Sequence, residues 1–123
     1  MYSVDHIGVV VKNVDKSLEF YTNVLECKLE DSFENEHARF ALVKAGQQII
    51  ELIQYHEDSE KVRGAGIVDH IAFTVTDIEA ETAKLRRHHV TLLFDQPRVT
   101  ASGKKILFFA GPDGERLEFV QKL

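Results

Sequence analysis

VDHIAFTVTDI, Val68 to Ile78, restates with substitutions the stretch VDHIGVVVKNV, Val4 to Val14. Placing Asp5 on Asp69 brings His6 onto His70, Ile7 onto Ile71, Val11 onto Val75 and Val14 onto Ile78, all at an offset of 64. An internal repeat sets the architecture, because each copy is a unit built the same way. The chain therefore reads as two half-domains, each opening on a strand that carries one histidine. The closing segments repeat as well. IIELIQ, Ile49 to Gln54, falls on RLEFVQ, Arg116 to Gln121, which puts Glu51 on Glu118 and Gln54 on Gln121 at an offset of 67. The three-residue difference asks for a small insertion, placed most easily between Asp95 and Lys104.

Between these ends the two copies read alike. Val4 to Lys12 is apolar and rich in β-branched residues, which predicts a strand covered on both faces. Asn13 or Asp15 caps a helix from about Asp15 to Glu26, with Leu18, Tyr21 and Leu25 on one face. Leu29 to Phe33, His37 to Lys44 and Gln47 to Tyr55 follow as strands, the last two joined by a tight turn at Ala45-Gly46. In the second half Val68 to Thr76 is the histidine strand, and Asp77 caps a helix through about Arg87. Val90 to Phe94, Lys104 to Ala110 and Glu115 to Gln121 are its further strands. The last two meet at Gly111-Pro112-Asp113-Gly114, where proline presets one φ and glycine permits a positive one. Each half is thus β-α-β-β-β, over 4–55 and 68–121, with a polar linker over 56–67.

Length and composition bound the class. At 123 residues and 44% hydrophobic the chain fits a single domain, 1–123, whose two halves share one core. Its longest uncharged apolar stretch is about half of a membrane span, and Met1-Tyr2-Ser3 leads straight into patterned sequence without the basic start of an export signal. A soluble, cytoplasmic protein is expected, with no membrane partner. Cys27 is the only cysteine, so no intramolecular disulfide can form and a reducing compartment is compatible. A net charge of −5 with dispersed Lys and Arg leaves no footprint for nucleic acid. The nearest basic cluster, Lys84, Arg86, Arg87, His88 and His89, ends a helix, where cations complement the dipole.

The repeat also carries chemistry. Strand alternation puts Glu51 on a face with Ile49 and Ile53, and a carboxylate among apolar side chains is costly to bury unless paired or bound to metal. Glu118, flanked on its face by Arg116 and Val120, is less diagnostic. The next residue on the face of each histidine is small, Gly8 after His6 and Ala72 after His70, which leaves space beside both imidazoles. Taken singly, a strand histidine reads as a hydrogen-bonded structural residue and a strand glutamate as part of a wet face. Two His and two Glu at matching positions of two repeats instead point to one shared centre, and imidazole nitrogens with carboxylate oxygens suit a divalent transition ion with open positions. His37, His56, His88 and His89 fall in turns or on surfaces and receive no role.

At HIGVVV from His6, SLEFYTNVL from Ser17, IIELIQ around Glu51, DHIAF around His70 and GPDGERLEF from Gly111, the chain resembles the vicinal oxygen chelate superfamily, in particular its glyoxalase I (lactoylglutathione lyase) branch. The resemblance covers nearly the whole chain. It implies an α+β fold in which two βαβββ repeats form a cupped eight-stranded mixed sheet with helices on the outside, the glyoxalase/bleomycin-resistance/dioxygenase fold. It further implies a metal held by His6, Glu51, His70 and Glu118, with nickel or zinc first among the ions and cobalt, manganese or iron also compatible. In such a lyase or isomerase the ion chelates two neighbouring oxygens of a small-molecule substrate, and a glutamate moves a proton between adjacent carbons through an enediolate. Glu118 matches the position of the base and Glu51 is its near-symmetric counterpart. A homodimer is the expected assembly, since an open sheet edge invites one.

The chain also departs from that branch. Relatives that use glutathione carry an arginine a few residues after the first histidine, where this chain has Val9, Val10 and Val11. Lys104 and Lys105 read as solvated loop lysines, with a hold on an anionic substrate as the alternative. Acyl-CoA epimerases resemble one another in a glutamine at the place of Glu51, and fosfomycin-modifying enzymes and ring-cleaving dioxygenases use three protein ligands. Antibiotic-sequestering members lack the metal set, and a non-catalytic binding protein of that kind is the alternative to an enzyme.

Overall fold

Asn13 accepts the Lys16 amide on its side chain at 3.1 Å and so starts helix α1, Val14–Glu19. Asp77 does the same for Ala80, also at 3.1 Å, at the start of α2, Ile78–Arg87. A side-chain oxygen there satisfies one of the amides that have no acceptor in the first helical turn. The two caps stand at the offset of the repeat. The computed structural model describes residues 3–57, 66 and 68–123, so the linker expected over 56–67 falls mostly outside the described residues. The chain divides into two compact units, Met1–Lys61 and Val62–Leu123.

The first unit holds β1 (His6–Val10), α1, β2 (Lys28–Glu34), β3 (Ala38–Ala45) and β4 (Gln48–Tyr55), with sheet order β1-β4-β3-β2. The second holds β5 (Ile71–Thr74), α2, β6 (Arg98–Val99), β7 (Lys104–Ala110) and β8 (Arg116–Lys122), with sheet order β5-β8-β7-β6. In both, the opening strand runs parallel to the closing one, and the remaining pairs are antiparallel. The observed class is therefore α+β, with eight strands among the described residues in two four-stranded mixed sheets, as the sequence indicates. No helix of the described residues is long and apolar enough to cross a membrane.

Period-two alternation gives each sheet a core face and an opposite face. Ala41, Val43, Ile50 and Leu52 are at most 2% exposed, and α1 lies against β3 and β4. In the second unit Leu107, Phe109, Leu117 and Phe119 are at most 3% exposed, and α2 lies against β7 and β8. Glu51 and Glu118 sit on the alternate positions, away from these residues. A second device recurs in both units. The Val14 amide donates to Gln54 Oε1 at 2.8 Å, and the Ile78 amide donates to Gln121 Oε1 at 2.7 Å, so the first amide of each helix is tied to the end of the closing strand.

Four expectations need correction. Val90 to Phe94 is not a strand: Leu92 makes an isolated bridge to Phe109, and the strand of this region is the short β6. Pro97 lacks an amide and restricts Gln96, while the Asp95 carbonyl accepts from the Arg86 guanidinium, so the backbone turns away before a ladder can extend. The first helix is α-helical only to Glu19 and continues as a wider π-helical segment, Phe20–Val24, where the Leu25 amide reaches back to the Phe20 carbonyl at 3.3 Å. β5 is shorter than expected, and His70 precedes it. The insertion is also split. A two-residue turn, Gly46-Gln47, joins β3 to β4, whereas three residues, Pro112 to Gly114, separate Gly111 from Glu115, which bond at 2.8 Å. One of the three extra residues thus lies in this turn and two lie upstream of β7.

Candidate metal-binding site

Register places the proposed ligands within each unit. In the first, Gly8 lies across from Glu51, and His6 is two residues before Gly8 on the same face. In the second, Ala72 lies across from Glu118, and His70 stands two residues before Ala72. A Cβ built at Gly8 would meet one side chain, the Ile53 Cδ1 at 3.4 Å, so the face beside His6 is open apart from that methyl. The four side chains therefore gather as two His/Glu pairs, one per unit. Among the described residues no group of three or more His, Cys, Asp or Glu side chains comes together that could hold a metal ion.

The second pair is the better defined. His70 Nδ1 lies 2.7 Å from Asp69 Oδ2, and His70 Nε2 lies 3.2 Å from Glu118 Oε1. An ionised carboxylate only accepts, so Nδ1 donates to Asp69, which leaves Nε2 as the ring nitrogen beside Glu118. With both ring nitrogens protonated the two atoms are an ion pair, and with Nε2 unprotonated they are two donors for a cation. Two donors about 2.1 Å from one ion and at right angles to each other stand about 3 Å apart, so the pair fits a shared divalent ion. Arg116 Nη1 braces Asp69 at 3.2 Å. The His70 bond and then the Arg116 charge hold the Asp69 carboxyl below the usual carboxylate range, which keeps it an acceptor. Glu118 is buried, with Phe108 across from it on β7, and the His70 ring meets the Phe108 ring edge-on at 5.1 Å.

The first pair repeats the design with fewer supports. His6 Nδ1 lies 2.8 Å from Asp5 Oδ2. The Asp5 bond raises the His6 pKa above its ordinary value, and the Glu51 charge adds to that. His6 is more open than His70, with 45% of its side chain exposed against 33%. Leu42, not an aromatic ring, lies across from Glu51.

Sequence reasoning missed several of these parts. Asp5 and Asp69 matched in the repeat but received no role, and neither did Gln54 and Gln121. Arg116 was noted only as a flanking residue. Of the two lysines weighed for anion binding, Lys105 pairs with Glu79 of α2, on the core side of its sheet, and Lys104 is exposed at the start of β7.

Comparison with known proteins bears on the family and the fold. The family described as Glyoxalase/Bleomycin resistance protein/Dioxygenase superfamily matches residues 3–119. Among curated relatives, the uncharacterized protein YwbC of Bacillus subtilis is 32% identical over 97% of each chain. A lactoylglutathione lyase of Neisseria meningitidis is 29% identical over 95% of this chain and 88% of its own. Among solved structures, SMU.1112c superposes with a TM-score of 0.81 at 28% identity, covering 98% of both chains. TnmS3, an antibiotic binding protein from Streptomyces, shares the fold at a TM-score of 0.80 and 21% identity, over 100% of this chain and 98% of its own.

Proposed function

Because the chain belongs to the Glyoxalase/Bleomycin resistance protein/Dioxygenase superfamily, we propose that it is a metal-dependent lyase or isomerase acting on a small molecule with two neighbouring oxygens. The observation that supports this reading is His70 Nε2 beside Glu118 Oε1 at 3.2 Å, an imidazole nitrogen and a carboxylate oxygen spaced as two ligands of one ion. His6, Glu51, His70 and Glu118 would hold the ion. A divalent ion of the nickel or zinc kind, or cobalt, manganese or iron, supplies Lewis-acid stabilisation of the negative charge that develops on the substrate oxygens. Glu118, buried beside Phe108, takes the proton from one substrate carbon and returns it to the next, with Glu51 as its counterpart. Asp69 and Arg116 hold the His70 ring in place. The similarity to lactoylglutathione lyases supports this class of reaction, and Val9 to Val11 argue against glutathione itself as the required partner. A homodimer belongs to the same reading, supported by β2, exposed along all seven residues at the edge of its sheet; a solution mass of 14.0 kDa would refute it.

A second reading, a small-molecule binding protein without turnover, draws on the fold shared with TnmS3 and on donors that gather in twos. Metal analysis comes first. Protein from metal-replete cells is expected to carry about one divalent ion per site, with retention lowered in His70→Ala and Glu51→Gln. Metal-free wild-type protein would sink the enzyme reading. Given metal, solvent exchange of a substrate C–H proton across a panel of hemithioacetals and acyl-CoA esters, lost in Glu118→Gln, supports proton transfer. Tight binding without exchange selects the second reading.

A further inference from the structure

The face of the second sheet that carries Glu118 extends beyond the donor pair. Register carries it outward in two rows, Ala72, Glu118 and Phe108 across β5, β8 and β7, then Thr74, Val120, Ile106 and Arg98 across β5, β8, β7 and β6. Arg98 therefore shares a face with Glu118. The aromatic rings fill the interval: His70 meets Phe108 edge-on at 5.1 Å, Phe108 meets Phe94 at 6.1 Å, and the Arg98 guanidinium lies 4.0 Å from the centre of the Phe94 ring. With Ile106 and Val120 beside them, these rings form an apolar wall that starts at a proposed ligand and ends at a cation.

Arg98 differs from the other arginines on these sheets in its partners. Arg39 is paired with Asp15 and Arg116 with Asp69, but among the described residues Arg98 has no carboxylate partner. The guanidinium carbon lies over the Phe94 ring, a cation–π contact, and among the described residues no hydrogen bond or ion pair takes the Arg98 N–H donors. Those donors form the fork that binds a carboxylate in two parallel bonds. Strands stand about 4.8 Å apart and rise about 3.4 Å per residue, which separates the Glu118 and Arg98 Cα positions by about 12 Å, shortened by the reach of two side chains. That interval suits a flat ring or short chain.

We propose that Phe94, Phe108 and Arg98 form a substrate subsite for an anionic group, a carboxylate above all, joined through an aryl or short apolar segment to the vicinal oxygens. This rests on the chelating site proposed above. It also supplies from the second unit the anion-binding cation that Val9 to Val11 do not supply from the first.

The test uses the zinc-loaded protein and two chelators that differ in one group, benzohydroxamate and 4-carboxybenzohydroxamate. Both present vicinal oxygens to an ion, and only the second carries an anion at the far side of its ring. Calorimetric titration is expected to show the carboxylated probe binding about tenfold more tightly. That advantage falls to within twofold in Arg98→Gln, returns in part in Arg98→Lys and persists in Lys104→Gln. Equal binding of the two probes to wild type overturns the subsite while the chelating site stands. So does an advantage that survives Arg98→Gln and disappears in Lys104→Gln. If neither probe binds, the chelating site falls and the subsite falls with it.

Discussion

Replacing Gln121 by alanine tests the device that both units use to join helix to strand. Ile78 is fully buried, and its amide, the first of α2, has no carbonyl of its own helix to bond. Gln121 Oε1 accepts it at 2.7 Å across 43 residues of chain. Alanine removes the acceptor and leaves a covered N–H bare. The partial exposure of Gln121 lets water recover part of the loss, so the cost is about 1–2 kcal/mol. An unfolding entropy of about 2.1 cal/mol/K per residue over 123 residues converts this to a melting temperature lower by about 4–8 °C. Gln121→Glu keeps an oxygen at the site and places negative charge at a helix N-terminus, so it should melt within about 3 °C of wild type. Gln54→Ala, which bares the Val14 amide, is the internal replicate in the first unit. Scanning calorimetry on the metal-free protein reads all three. The reasoning fails if Gln121→Ala melts within a degree of wild type, or if the glutamate variant falls as far as the alanine one.

Two further outcomes follow from single residues. Asp69→Asn should weaken metal retention about 10- to 100-fold, because an amide can present its N–H to Nδ1 and move the ring proton to Nε2; competition against a chromogenic chelator measures it, and an unchanged affinity would show that Asp69 does not orient the ring. Cys27 is buried, which pushes its thiol from 9.0 up to about 11. The folded value is raised, so its contribution to stability is complete below the unfolded pKa and is lost as pH rises through the folded one. Alkaline melting between pH 9 and 11 should therefore steepen with Cys27 present and flatten in Cys27→Ala, and native protein should react slowly with disulfide reagents at pH 8. Fast labelling of the native thiol would contradict this.

The halves of the fold were legible because a repeat transmits structure that no single window holds. Once His6 fell on His70 and Glu51 on Glu118, the β-α-β-β-β order of one half carried over to the other, while the parallel pairing of opening and closing strands came from the structure. The parts that escaped were those where the halves differ or where periodicity stops. Val90 to Phe94 has the composition of a strand, but Pro97 and the Arg86 bond to the Asp95 carbonyl break its ladder. The π-helical turn at Phe20 to Val24 keeps an apolar face and so looks α-helical in sequence. Asp5 and Asp69 matched at the repeat offset, yet neighbours within a strand point to opposite faces, so alternation gave no reason to join either to its histidine. They bond because both lie just before a strand begins, where alternation does not apply. Arg98 was out of reach for a different reason, since its face depends on the register of a two-residue strand.

A repeat this regular invites equal roles for its two glutamates, and the geometry argues against that. Ile49 occupies in the first unit the place of Arg116 in the second, so Asp5 has no counterpart to the guanidinium that holds Asp69. Leu42 stands across from Glu51 where the second unit sets Phe108 across from Glu118. Glu118 is the more deeply buried carboxylate, and its histidine touches it directly. A proton carrier works best in a dry setting with its orientation fixed, because fixed dipoles then act on the transferred charge without first reorganising. Burial, the braced histidine and the aromatic neighbour all favour Glu118 over Glu51. The exchange experiment separates the two: Glu51→Gln should lower metal retention and leave slow exchange in zinc-saturated protein, whereas Glu118→Gln should abolish exchange even when metal is saturating.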